Sequence, residues 1–173
     1  MIKCDEKETM TEAQWTPLVG RDRECFACGA ENPYGLQMTF ESNGEALRSG
    51  LTVPPRFRGW SNLVHGGILA TILDEIMGWT AIHLTKRFIL TKGMHVAFIK
   101  PVRIGTPLSI TGYIKERISE RKARVGAEIR NGEGDLCASS EGEFVLFTME
   151  EFATMDIIPQ SELTEWAQAY DNQ

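Results

Sequence analysis

The stretch from His65 to about Leu84 constrains this chain more than any other. Leu69, Ile72, Leu73, Ile76, Met77 and Ile82 are spaced so that a helix here is apolar on nearly every side. Such a helix is wrapped by other structure rather than laid on a surface. The same stretch carries His65, Asp74, Glu75 and His83, so it does not read as a membrane span.

The flanking sequence supplies the wrapping. Leu36–Phe40 and Ala46–Val53 read as two strands about the hairpin signal Asn43-Gly44, and Pro54-Pro55 ends the second. Residues 56–62 form a polar, Gly-containing loop. After the helix, Met94–Ile99, Leu108–Ile114, Ala123–Ile129 and Leu136–Phe147 read as four strands. Short connections imply antiparallel neighbours. The economical arrangement is an α+β fold, an antiparallel sheet curled around one long central helix.

A length of 173 residues suits one domain with a short arm at each end. The expected division is a polar arm over 1–24, as a short helix or extended segment, a domain over 25–149, and a tail over 150–173. A helix start at Ser161 puts Leu163 and Trp166 on one apolar stripe of that tail. With 42% hydrophobic and 24% charged residues, bulk disorder is excluded. Lys and Arg number 18 against 24 Asp and Glu, a net charge of -6 with no basic block, which argues against nucleic-acid binding. The acidic, mixed start from Met1 to Glu8 is no signal peptide. We therefore expect a cytoplasmic protein with its four cysteines reduced.

Two features of the helix carry chemistry. Asp74 lies halfway along it, and a carboxylate taken out of water is neutralised, paired or functional. For an isolated acid in a helix, one that reaches the surface or pairs with an arginine is the commoner case. Gly66 and Gly67 open the helix, where backbone N–H groups are unpaired and a ligand can approach closely. Those groups suit a carbonyl oxygen that becomes negative in a transition state. A plain loop-to-helix hinge is the alternative. His65 and Asp74 are nine residues apart, which is about 13 Å along a helix. Asp74 cannot serve the N-terminus of its own helix, but it can serve that of an antiparallel copy in a two-fold dimer.

The run from His65-Gly66-Gly67 through Leu73-Asp74-Glu75 resembles the helix motif of hotdog-fold acyl-CoA thioesterases of the phenylacetate-pathway, PaaI-like type. The run Cys25-Phe26-Ala27-Cys28-Gly29, continuing to Asn32-Pro33-Tyr34-Gly35-Leu36, resembles the N-terminal signature of one branch of that group. Phe98-Ile99-Lys100-Pro101-Val102-Arg103-Ile104-Gly105 resembles the strand and turn that follow the helix. Together these cover roughly residues 25–148. The resemblance implies a homodimer, or a dimer of dimers, with shared sites that hydrolyse an acyl-CoA thioester without a cofactor. It makes Asp74 the general base or nucleophile and the Gly66 N–H the oxyanion donor. His65 orients the loop and the substrate carbonyl, and Thr91 helps hold the attacking water. One position departs from the pattern. Many relatives carry Asn or Gln six residues before the motif histidine, where this chain has Gly59, and Asn62 is the nearest substitute amide. That departure keeps a non-catalytic acyl-CoA- or lipid-binding module open. The His-centred motif of hotdog hydratases and dehydratases is not found.

Arg56, Arg58, Lys100 and Arg103 flank the proposed site and are candidates for the phosphates of coenzyme A, as is Gly67 for backbone contact. Solvated surface charge is the competing account of each. Trp60 and Trp79 shape an acyl pocket or belong to the core, and His83 and His95 are read as structural or exposed. Cys25 and Cys28 form a single Cys-x-x-Cys. Cys4 and Cys137 stand singly and no histidine pair is near, so no metal is expected and the two read as packing cysteines at a turn.

Overall fold

The computed structural model describes residues 14–20, 22–159 and 162–166. Strands β1 (Thr16–Leu18), β2 (Phe40–Ser42) and β3 (Ala46–Thr52) precede helix α1 (Gly66–Thr85). Strands β4 (Phe88–Phe98), β5 (Pro107–Ser119), β6 (Lys122–Asn131) and β7 (Leu136–Phe147) follow, then helix α2 (Met149–Ala153). The strands form one sheet in the order β1-β2-β3-β5-β6-β7-β4, antiparallel at every step. The sheet curls around α1, which packs against β3, β4, β5, β6 and β7. This is the architecture expected from the sequence. Cys4 and Ser161 lie outside the described residues.

The apolar run of α1 makes the core. Ile72, Leu73, Ile76 and Met77 are fully buried with Leu47, Ile110, Ile129 and Phe144 of the sheet. Burying each such side chain contributes about 1.5–3 kcal/mol. Helix and sheet approach most closely at Gly112 of β5. A Cβ there would lie 2.4 Å from Thr80 Oγ1 and 3.1 Å from the Ile76 carbonyl oxygen, so only glycine fits. The helix ends at Lys86, in the left-handed conformation at φ 54°, with its N–H donating to the Ile82 carbonyl.

The helix is not covered all round. Ala70, Thr71, Asp74, Gly78 and Ile82 form a half-open stripe of mostly small or polar residues, and Gly67 at its start is exposed. Three further details differ from the sequence expectation. The N-terminal arm contributes β1, a three-residue strand on β2. Residues 36–39 run extended rather than as a ladder strand, because the Leu36 and Met38 N–H groups donate to the Phe26 and Ala27 carbonyls of the cysteine turn, each at 2.9 Å. β4 begins at Phe88, six residues before the alternating run that betrays it. As an edge strand it tolerates the polar Thr91-Lys92 segment, where a register shift between Thr91 and Gly93 marks a bulge. A second, smaller cluster of Phe88, Phe147, Phe152 and Leu163 anchors α2 and the tail.

Candidate active site

His65 caps α1. Its backbone is extended at φ -63° and ψ 135°, and its Nδ1 accepts the Gly67 N–H at 2.9 Å. That bond uses the Gly67 donor within the chain. It also fixes the ring: a neutral His65 accepting at Nδ1 carries its proton on Nε2, so its free edge is a donor. Among the described residues the Gly66 N–H has no acceptor, and it stands at the positive end of the helix dipole. The Phe98 ring lies beside it, 3.5 Å from where a Gly66 Cβ would be.

The preceding loop folds back onto this end. The His65 N–H donates to the Phe57 carbonyl at 3.1 Å, and the Gly59 N–H to the Leu63 carbonyl at 2.8 Å. A Cβ on Gly59 would lie 3.1 Å from His65 Cα, so the position that departs from the family pattern backs directly onto the histidine. Asn62 is exposed, and its carbonyl accepts the Ile104 N–H at 2.7 Å. Bridges Arg58–Val64 and Leu63–Arg103 bring Arg58 and Arg103 to the same end, both exposed and neither in an ion pair among the described residues. Lys100 is instead paired with Asp135 at 2.9 Å. Arg56 donates to the Gly35 carbonyl at 2.9 Å and lies over the Phe57 ring.

Asp74 sits two turns farther along, half-exposed on the open stripe. Its Oδ1 accepts from Thr91 Oγ1 at 3.0 Å. The β4 bulge begins at Thr91, and bulges of this kind re-aim a side chain. Both residues line a cavity of about 230 Å3, shared with Cys25, Glu75, Trp79 and Trp166. A larger cavity of about 570 Å3 lies on the other side of Cys28 and Trp79, beneath the N-terminal arm. Neither Asp74 nor Thr91 lines it. Eight residues separate Asp74 from Gly66, about 12 Å of helix rise. One chain therefore holds the Asp74 carboxylate and the Gly66 N–H without bringing them together.

Glu75 lines the same cavity from the side of the cysteine turn. Its Oε1 accepts from Trp79 Nε1 at 3.1 Å and lies 3.8 Å from Cys25 Sγ. Burial pushes its carboxyl up to about 7, against the lowering effect of hydrogen bonds from Cys28 and Trp79. Cys25 is held down to about 5, first by the Cys28 thiol that hydrogen-bonds to it, with the Cys28 and Ala27 N–H groups assisting. Cys28 is pushed up by the same bond, by burial and by the Glu75 charge. The sequence reading missed this cluster because it counted cysteine and histidine alone and left Glu75 without a neighbour. The i, i+4 spacing of Glu75 and Trp79 was the available signal. Trp60 is 87% exposed and belongs to neither cavity nor core. His95 is exposed and lines a separate surface depression on β4 and β7, and His83 is half-buried.

Residues 61–138 match the family model of the thioesterase superfamily. No curated protein matches the chain. Among solved structures, a thioesterase superfamily protein is 29% identical at a TM-score of 0.65, over 73% of this chain and 62% of that one. The chain thus spans less than two thirds of that relative's length. An acyl-CoA hydrolase from Staphylococcus aureus, in complex with butyryl coenzyme A and coenzyme A, is 25% identical at 0.57, over 61% of this chain and 65% of that one. The E. coli PaaI protein from the phenylacetic acid degradation operon is 18% identical at 0.59, over 65% and 80%, a likeness of fold.

Proposed function

We propose that this chain, whose residues 61–138 match the thioesterase-superfamily model, is a hotdog-fold enzyme that hydrolyses an acyl-CoA thioester to the free acid and coenzyme A. The observation that carries this reading is the hydrogen-bonded Asp74–Thr91 pair, opening on a cavity, on a helix whose own N-terminus carries an unused donor. The acyl-CoA hydrolase with butyryl coenzyme A bound supports the substrate class.

Two chains complete each site. Among the described residues β4 ends the sheet with an unpaired edge of 11 residues, and Leu90 and Phe98 on it are 41% and 58% exposed. A long apolar edge is a template for pairing, and a second copy satisfies it two-fold. The half-open stripe of α1 then faces the partner, and Asp74 meets the N–H at Gly66 of the partner subunit. A dimer of dimers is compatible with this arrangement.

In the reaction, water attacks the thioester carbonyl and Asp74 takes its proton. Thr91 donates to Oδ1 and so fixes the carboxylate, leaving Oδ2 for that proton. The oxyanion accepts from Gly66, and the donor edge of His65 steadies the carbonyl region. Collapse expels the coenzyme A thiolate, which takes up a proton. Direct attack by Asp74, giving an anhydride that water then opens, uses the same groups. Single turnover in heavy-oxygen water separates the routes, since only the second leaves label on Asp74. In this reading Asn62, Arg58 and Arg103 at the helix N-terminus meet the carrier, and Gly67 does so once its N–H leaves His65 Nδ1. Arg56 and Lys100 must first give up their present partners. We place the enzyme in the cytoplasm, a compartment in which the free Cys25, Cys28 and Cys137 stay reduced.

The glycine at position 59, where the family pattern has an Asn or Gln side chain, favours a second reading, a module that binds acyl-CoA or lipid without turnover. An acyl-CoA panel followed by thiol release decides between them. Hydrolysis that disappears in a folded Asp74→Asn dimer supports the enzyme. Tight binding without thiol release across all chain lengths sinks it.

A further inference from the structure

We propose that Cys25, Cys28 and Glu75 form a binding site for a zinc-class divalent cation, held by two thiolates and one carboxylate with a fourth position open to the cavity. Their ligand atoms all lie within 4.8 Å of one another. A tetrahedral zinc, with Zn–S about 2.3 Å and Zn–O about 2.1 Å, separates a sulfur from an oxygen ligand by about 3.6 Å. Cys25 Sγ and Glu75 Oε1 stand 3.8 Å apart, close to that separation.

The turn is built as a thiolate cradle. The Ala27 and Cys28 N–H groups point at Cys25 Sγ, an arrangement that favours negative charge on the sulfur. The Gly29 N–H donates to the Cys25 carbonyl at 2.9 Å and closes the turn. A Cβ on Gly29 would come within 2.5 Å of Cys25 N and 2.6 Å of the Arg23 carbonyl oxygen, so the turn is wound too tightly for any other residue. Both cysteines are free and half-buried, accessible from the cavity rather than sealed in the core.

The third ligand has its own support. Trp79 Nε1 donates to Glu75 Oε1 at 3.1 Å, and the Trp79 ring stacks on Phe40 at 4.8 Å between centroids. An outer hydrogen bond from a fixed ring is the usual means of orienting a ligating carboxylate. Counting cysteine and histidine alone argues against a metal here. The fold overturns that count by delivering a carboxylate from a segment 50 residues away. Two soft sulfurs with one oxygen select zinc over calcium or magnesium. The ion binds thiolates, so its entry displaces the thiol protons to solvent. The site joins the N-terminal turn to the middle of α1. It does not depend on the hydrolase reading, and its test reads metal rather than turnover.

The full chain, reduced and stripped with a chelator, is titrated with cobalt(II) as a spectroscopic stand-in. One cobalt per chain is expected, with tetrahedral visible bands and thiolate-to-cobalt charge transfer in the ultraviolet, all erased by one equivalent of zinc. Cys25→Ser and Cys28→Ser each reduce the charge-transfer band, while Cys137→Ser leaves it intact. Trp79→Phe keeps the band and weakens zinc binding about 10- to 100-fold. Circular dichroism confirms that each variant is folded, and the wild-type titration stands even where one is not. Reduced wild-type chain that takes up no cobalt overturns the proposal. So does a band that survives loss of both Cys25 and Cys28, or a cobalt complex lacking thiolate charge transfer.

Discussion

Asp74 and Glu75 are adjacent in sequence, and one helical step turns them about 100° apart. Asp74 looks out along the open stripe of α1 toward the bulged edge strand, bonded to one hydroxyl and in reach of a ligand. Glu75 looks inward to the cysteine turn, bonded to an indole and shielded enough that its carboxyl rises to about 7. In the proposed mechanism the first acid receives a proton from the attacking water. The other is tied to the scaffold that supports the first. Chemical identity does not set these roles; the surfaces facing each side of the helix do.

The comparison breaks most readily at Asp74. Asp74→Asn keeps the shape and the Thr91 contact but removes the base, and kcat should fall about a thousandfold or more. Thiol release on the best acyl-CoA measures it, and a loss under tenfold would strip Asp74 of its role. Gly66→Pro tests the other half of the site. Proline is at home in the first helical position, and His65 already has the extended backbone that a following proline requires. The substitution deletes one N–H and little else, so kcat should drop about 100-fold or more while the melting temperature holds. Thr91→Ala removes a hydrogen bond to a charged group and should cost about 10- to 100-fold in kcat, with Thr91→Ser restoring most of it. Glu75→Gln sharpens the contrast, since Glu75 touches no reacting atom. Its loss in kcat should stay near or below tenfold, seen in the same assay, by the ordinary effect of loosening a support. If Glu75→Gln fell as far as Asp74→Asn, the division of labour would be lost.

How much of this was legible in the sequence follows from the same geometry. The wrapped helix was legible because Leu69, Ile72, Leu73, Ile76 and Met77 are buried side by side by a local period. The Gly66 opening and Asp74 were legible because both lie in one continuous run. The contact from Thr91 was named only through family resemblance. It depends on a bulge at the start of a strand whose first six residues show no alternation. The Glu75 cluster escaped because its parts come from segments 50 residues apart, and no period links a turn to a helix face. The fate of Lys100 was hidden in the same way, since Asp135 arrives from the β6–β7 turn. Local patterns predict elements, whereas pairings between elements require the fold.

The eight residues between Gly66 and Asp74 carry one more consequence. A chain damaged at Asp74 still offers a sound helix tip, and a chain damaged at Gly66 still offers a sound acid. Unfolded together and refolded as a mixture, two inert variants should therefore complement each other. For the proposed dimer, random pairing makes half the dimers mixed, each with one intact site of two, so about a quarter of native turnover should reappear.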